Sequence, residues 1–165
     1  MCTCSLEKIK IEHLSDVLDI YNHYVLNSTA TFHTETLAAD EMRQLVFFAN
    51  PRYQTYVILA GSECCGYAYI GQHKGRAAYD ATGEISIYLK PGCEGKGLGR
   101  MALEQIERHA NEHGFHVLVA TICSQNTNSL RLFLQQGFEQ CAHYKEVGRK
   151  FGQWLDVVAY QKILH

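Results

Sequence analysis

The sequence predicts an α/β protein in which helices cover a sheet of mixed strand direction. Hydrophobic spacing gives the order helix, helix, strands, helix, strand, helix, strands, which interleaves strand–helix–strand crossovers with hairpins. The 165 residues, 47% of them hydrophobic, are enough for one substantial core and too few for two, so residues 1–165 read as a single domain. The chain contains no internal repeat and no low-complexity segment.

The first helix is predicted over 13–27, where Leu14, Val17, Leu18, Tyr21 and Val25 recur at helical spacing and Ser15 stands near the start as a cap. A second runs over 38–49 and ends at Asn50 and Pro51. The stretches YVILA at 56–60 and CGYAYI at 65–70 read as antiparallel strands joined by a turn at Gly61, Ser62 and Glu63. Residues 71–83, GQHKGRAAYDATG, are polar and glycine-bearing and read as a loop. EISIYL at 84–89 alternates as a strand should and is stopped by Pro91 and Gly92. Leu98, Met101, Ala102, Ile106 and Ala110 then mark a helix that stops near Gly114. An apolar strand at 116–122 precedes a short helix that opens at Asn126, carries Leu130, Phe133 and Leu134, and closes at Gly137. Strands over 138–147 and 154–163 complete the chain around a loop at 148–152.

Composition excludes several classes of function. A formal net charge of −2 gives no global attraction to nucleic acid or to an anionic membrane, so any anion binding must be local. The longest apolar runs, such as FHVLVA at 115–120, fall far below the roughly 20 residues needed to span a bilayer, and MCTCSLEKIK is not a signal segment. A cytoplasmic protein is expected. Seven cysteines, an odd number, are expected as reduced thiols. Neither Cys2 with Cys4 nor Cys64 with Cys65 has the CxxC spacing of a zinc ligand pair, so no metal is expected.

The chemistry-bearing stretch is EGKGLGR at 94–100. Three glycines at alternate positions are a costly start for a helix, because each loses more backbone freedom on folding than any other residue. In return, a strand, a glycine turn and a helix start leave unpaired N–H groups beside the positive end of a helix dipole, a site suited to phosphate. Lys96 and Arg100 add positive charge at its rim. The layout is not the G-x-x-x-x-G-K-S/T of a nucleotide P-loop, and the order of Gly95, Gly97 and Gly99 does not meet the G-x-G-x-x-G of a dinucleotide fold.

The stretch resembles the Q/R-x-x-G-x-G/A pyrophosphate loop of the GCN5-related N-acetyltransferases, with Gly97 and Gly99 at the two glycine positions and Glu94 departing at the first. NHY at 22–24, STATFHTE at 28–35, GYAY at 66–69, KGRAAYD at 74–80, TGE at 82–84 and GQWLDV at 152–157 extend the resemblance, in order, to the phosphinothricin N-acetyltransferase subfamily. The resemblance implies a mostly antiparallel sheet whose central strands splay apart to admit acetyl-CoA as cosubstrate. It implies that the main chain of Ile87, Tyr88 and Leu89 pairs with the pantetheine arm and that Gly95, Lys96, Gly97, Leu98, Gly99 and Arg100 surround the pyrophosphate. Asn126 matches a position that also contacts the cofactor, and it reads equally as a turn or cap residue of the short helix.

By the same resemblance Glu84 is the catalytic carboxylate, the general base that removes a proton from an α-ammonium before the amine attacks the thioester. On spacing alone it is an ordinary strand-end Glu. Lys74, Arg76 and Tyr79 match a loop that holds an acceptor with an α-carboxylate and a second anionic head, and Phe32 matches an aromatic that closes over it. Apart from the resemblance the loop is a solvated basic stretch and Phe32 a core anchor. Phe133 stands where the subfamily has a His, and no Phe can protonate the departing thiolate. The implied activity is direct acetyl transfer from acetyl-CoA to the α-amine of a small amino-acid-like substrate, such as phosphinothricin or methionine sulfoximine, by a homodimer. An acetyltransferase for another amine, such as a peptide N-terminus or an amino-sugar, and a non-catalytic acyl-CoA-binding protein remain the alternatives.

Overall fold

The computed structural model describes residues 3–165. Cys2, and with it any pairing to Cys4, lies outside the described residues. Strand β1 (Cys4–Lys8) leads through a short 3₁₀ turn into helices α1 (Leu14–Asn27) and α2 (Ala39–Val46). The antiparallel strands β2 (Gln54–Ala60), β3 (Glu63–Gln72) and β4 (Thr82–Leu89) follow, then α3 (Leu98–Glu112), β5 (Val117–Cys123), α4 (Thr127–Gln135), β6 (Glu139–Lys150) and β7 (Gln153–Ile163). The strands form one seven-stranded sheet in the order β1-β2-β3-β4-β5-β7-β6, in which β4 and β5 are the parallel neighbours.

The two faces of the sheet bury separate apolar sets. Alternation along β2 sends Tyr56 and Ile58 to the face covered by α3, while Val57 goes to the face covered by α1 and α2. Helix α3 buries Leu98, Ala102, Leu103, Ile106 and Ala110 on one stripe, and each large side chain so buried contributes about 1.5–3 kcal/mol. On the opposite face, Val17, Ile20, Tyr21 and Val25 of α1 pack with Met42 and Val46 of α2 against Val57 and Tyr67.

Several sequence expectations are corrected. Ser15 does not cap α1: the residue preceding the helix is His13, whose ring accepts from the Lys10 N–H at 3.0 Å. Helix α2 ends at Val46 rather than 49, because Phe47 turns extended and the Phe48 ring is drawn against Tyr53 and Tyr69. The predicted loop at 71–83 holds over 73–81, with β3 running on to Gln72 and β4 starting at Thr82, whereas the one at 148–152 is largely strand, since β6 and β7 meet at a turn of Phe151 and Gly152. Strand β1 was not expected from the sequence. Asn126, by contrast, is a true cap, its side chain accepting from Ser129 N at 3.3 Å. No helix among the described residues is long and apolar enough to cross a membrane.

What positions the site is the end of the pairing between β4 and β5. They are joined only at Thr82–Val117, Gly83–Leu118 and Glu84–Val119 and then diverge. Each keeps its other partner throughout: β4 stays registered on β3 as far as Leu89 opposite Gly66, and β5 on β7 from Val117 to Cys123. The β3 side depends on Gly66, where an added Cβ would stand 2.6 Å from the Tyr88 carbonyl oxygen. Gly66→Ala is therefore expected to push β3 and β4 apart at a loss of about 1–3 kcal/mol, read as a lower midpoint in thermal or chemical unfolding.

Candidate active site

Where β4 and β5 part, a cavity of about 850 Å³ opens. Ile85, Ile87 and Leu89 line one side and Ala120, Thr121 and Ile122 the other. Residues 85–89 have no partner on the edge that faces β5, so the main-chain groups pointing that way are available to a ligand that can bond like a strand. Tyr24 of α1 reaches the outer end of this edge and donates to the Leu89 carbonyl. Burial, with the nearby Glu94 carboxylate and Cys93, pushes the Tyr24 phenol up to about 12, so it remains a donor.

At its other end the cavity meets the N-terminus of α3, lined by Gly95, Gly97, Leu98, Gly99 and Arg100. No side chain caps this helix, so its first N–H groups and the positive end of its dipole face the opening. The glycines serve two purposes. Gly95 and Gly97 are left-handed, at φ of 73° and 76°, and have no protein atom within 4 Å of an added Cβ, so the turn needs their backbone and a ligand gains the space. Gly99 is helical, and its added Cβ would meet Leu132 at 3.0 Å, so it lets α4 approach α3. Glu94 turns back to accept from the Gly92 N–H at 2.7 Å and so closes the turn. Lys96 is exposed at the rim and does not line the cavity, and Arg100 is held by Glu104 at 2.8 Å.

Tyr88 and Asn126 line the same cavity, and so does Phe133, which is buried and meets Phe138 edge to face. A wall of this kind excludes water but offers no proton.

Glu84 sits at the apex of the split, as the last β4 residue paired to β5. Its Oε1 accepts from the Thr121 hydroxyl at 2.8 Å and its Oε2 bonds His73 Nδ1 at 2.9 Å. The His73 ring meets Tyr79 edge to face at 5.9 Å, and the Lys74 ammonium lies 5.1 Å from the Tyr79 ring centroid. The structure thus groups Lys74 and Tyr79 with Glu84, and leaves Arg76 exposed at the start of the 3₁₀ turn Ala77–Tyr79. Phe32 is half exposed and packs on Gly148 of β6, where an added Cβ would come within 2.4 Å of its ring.

Sequence reading missed His73, Thr121, Tyr24 and Lys150. Register holds the signal for the first two: Gly71 opposes Glu84 across the hairpin and Val119 opposes it across the parallel pair, so residues two further on share its face. Lys150 is buried, and its ammonium donates to the carbonyls of Ser28 at 2.6 Å, Thr31 at 2.8 Å and Tyr24 at 3.4 Å. Burial holds its pKa below the usual lysine range, and the C-terminal carbonyls of α1 supply the compensating negative potential. This clamp fixes the segment whose Ser28 and Ala30 line the cavity.

Comparison with known proteins follows the same lines. Residues 17–138 match the acetyltransferase (GNAT) family. The chain is 37% identical over 163 residues to the L-methionine sulfoximine/L-methionine sulfone acetyltransferase of Pseudomonas paraeruginosa, covering 96% of this chain and 94% of that one. It is 32% identical over 158 residues to the phosphinothricin N-acetyltransferase of Streptomyces coelicolor, covering 93% and 92%. A GNAT superfamily phosphinothricin acetyltransferase of Sinorhizobium meliloti, solved in complex with acetyl-CoA, superposes with a TM-score of 0.93 at 31% identity over 98% of this chain and 89% of that one. Lys150→Met is expected to lower stability by about 2 kcal/mol, the scale of a hydrogen bond to a charged group, and to leave residues 28–32 open to limited proteolysis, checked by denaturant titration and cleavage mapping.

Proposed function

Because the chain belongs to the acetyltransferase (GNAT) family, we propose that it is an acetyl-CoA-dependent N-acetyltransferase for the α-amine of small amino-acid-like acceptors, of the type of methionine sulfoximine, methionine sulfone and phosphinothricin. One observation carries the reading: the split between β4 and β5 runs from a carboxylate at its apex to an uncapped helix N-terminus at its mouth. That geometry suits a long substrate with amide groups in its middle and phosphates at its tail. The free edge of residues 85–89 holds the arm, Gly95, Gly97 and the start of α3 hold the pyrophosphate with Lys96 and Arg100 at its rim, and Asn126 borders the far wall.

The acceptor enters on the α1 face. Lys74 and Arg76 attract its anionic groups, Tyr79 bounds it, and Phe32 closes the side toward β6. Deprotonation of its ammonium at Glu84 frees the lone pair that attacks the thioester, and main-chain N–H groups of β4 polarise the carbonyl. No covalent enzyme intermediate is required, since Cys93 is buried and does not line the cavity. Loss of a dedicated acid at Phe133 is tolerable because a thiol, at about 8.5 in solution, leaves as the anion more readily than an alcohol.

The reading treats residues 1–165 as one catalytic domain acting in the cytoplasm, where its thiols stay reduced. It also treats the protein as a homodimer. Tyr144, Val147, Phe151 and Trp154 are all more than half exposed along the β6–β7 hairpin at the sheet edge, a patch of the kind that a second copy covers. Light scattering should then give about twice the 18.7 kDa of the chain.

Activity is tested by mixing the protein with acetyl-CoA and a panel of amino acids, amino-acid analogues, peptides and amino-sugars, and following free CoA thiol. Turnover is expected with methionine sulfone or phosphinothricin, and Glu84→Gln should lower kcat by about 10² to 10⁴. Turnover confined to peptides or amino-sugars would overturn the assigned acceptor. Tight acetyl-CoA binding with no turnover at all would make the protein a non-catalytic acyl-CoA binder.

A further inference from the structure

Both oxygens of Glu84 are engaged inside the protein, Oε1 by Thr121 and Oε2 by His73, so the imidazole is bonded directly to the carboxylate at the apex of the split. We infer that His73 is itself a catalytic residue, its Nε2 taking the proton from the acceptor's ammonium while Glu84 holds and orients the ring through Nδ1. The inference rests on the acetyltransfer reading above and refines it: the proton that reading assigns to Glu84 is taken at His73 Nε2, and Glu84 acts by orienting the ring and stabilising its charged form.

Four observations converge on this assignment. A carboxylate can only accept, so Nδ1 is the donor in the 2.9 Å bond and the lone pair of the neutral ring lies at Nε2. Nε2 takes no part in that bond and is the atom left for an acceptor. The ring is 18% exposed, enough for a small ligand to touch it and too little for it to swing freely. Tyr79 meets it edge to face and Lys74 lies over Tyr79, which puts the imidazole between Glu84 and the loop assigned to the acceptor's anionic groups. A carboxylate that fixes the tautomer and orientation of an imidazole base is a recurrent device of proton-transfer enzymes.

The step balances without a further reagent. The ammonium gives one proton to Nε2, and the freed lone pair forms a C–N bond at the thioester carbonyl carbon. The C–S bond then breaks, its electron pair goes to sulfur, and the nitrogen loses its second proton as the amide forms. One of the two protons ends on the CoA thiol and the other in solvent.

Steady-state kinetics with acetyl-CoA and either methionine sulfone or phosphinothricin test the assignment, with acetyl-CoA binding measured on every variant to show that the fold and the split are intact. His73→Ala should lower kcat by about 10²-fold or more while the acetyl-CoA KM stays within about twofold, and added imidazole should restore much of the lost rate. His73→Asn keeps a donor toward Glu84 but supplies no base, so it should remain as slow as His73→Ala. The inference is overturned if His73→Ala keeps kcat within about threefold, if imidazole gives no rescue, or if His73→Asn recovers the rate, the last showing that the ring only steadies Glu84. Absence of turnover by the unaltered protein on the whole panel overturns the acetyltransfer reading, and this inference with it.

Discussion

The three residue pairs that join β4 to β5, ending at Glu84 and Val119, are the constraint on which the site is built. A sheet that stops pairing in its middle leaves main-chain groups without partners, which a folded protein ordinarily avoids. Here the opening is sustained from outside. β3 grips β4 and β7 grips β5 along nearly their full lengths, so each half of the sheet is stable on its own side of the gap. The parallel pair, slightly weaker per residue than an antiparallel one, is the pair that gives way.

Because the gap passes through the sheet, it joins two environments that the fold builds separately. On the α3 side the helix start, the left-handed Gly95 and Gly97 and the apolar walls from Ile87 and Phe133 form a slot for an extended ligand with an anionic tail. On the α1 side the polar groups gather: Glu84 with His73 and Thr121, and Tyr21 bonded to Thr31 and His33. Positive potential is thus created locally in a chain whose formal net charge is −2.

How much of this was legible in the sequence depends on the range of the interaction. The stretch at 94–100 could be read because its glycines, its strand stop and its helix start are adjacent in the chain. Phe133 was legible as a core residue from its spacing with Leu130 and Leu134, and the structure buries it. The split itself was visible only through family resemblance, since nothing in EISIYL reveals where its pairing with β5 will end. His73 needed the β3–β4 register, and 71–83 read as loop because its polar side chains mask the strand ends at Gln72 and Thr82. Strand β1 is short and carries Glu7 and Lys8, so its alternation is weak. Lys150 fell within the loop read at 148–152, and only the return of β6 beneath the end of α1 gives it three carbonyls to bind.

The Lys150 clamp also divides the acceptor side by stiffness. Moving residues 28–32 outward would break two short charge-assisted bonds at once and lift Phe32 off Gly148, whereas the 3₁₀ turn Ala77–Tyr79 is exposed and tied down mainly by its own backbone. One wall of the split is therefore an anvil and the other more lightly held. On the proposed function, entry and exit of the acceptor fall to the looser wall, and Lys74, Arg76 and Tyr79 become the positions where a change of preferred acceptor would arise without disturbing the split.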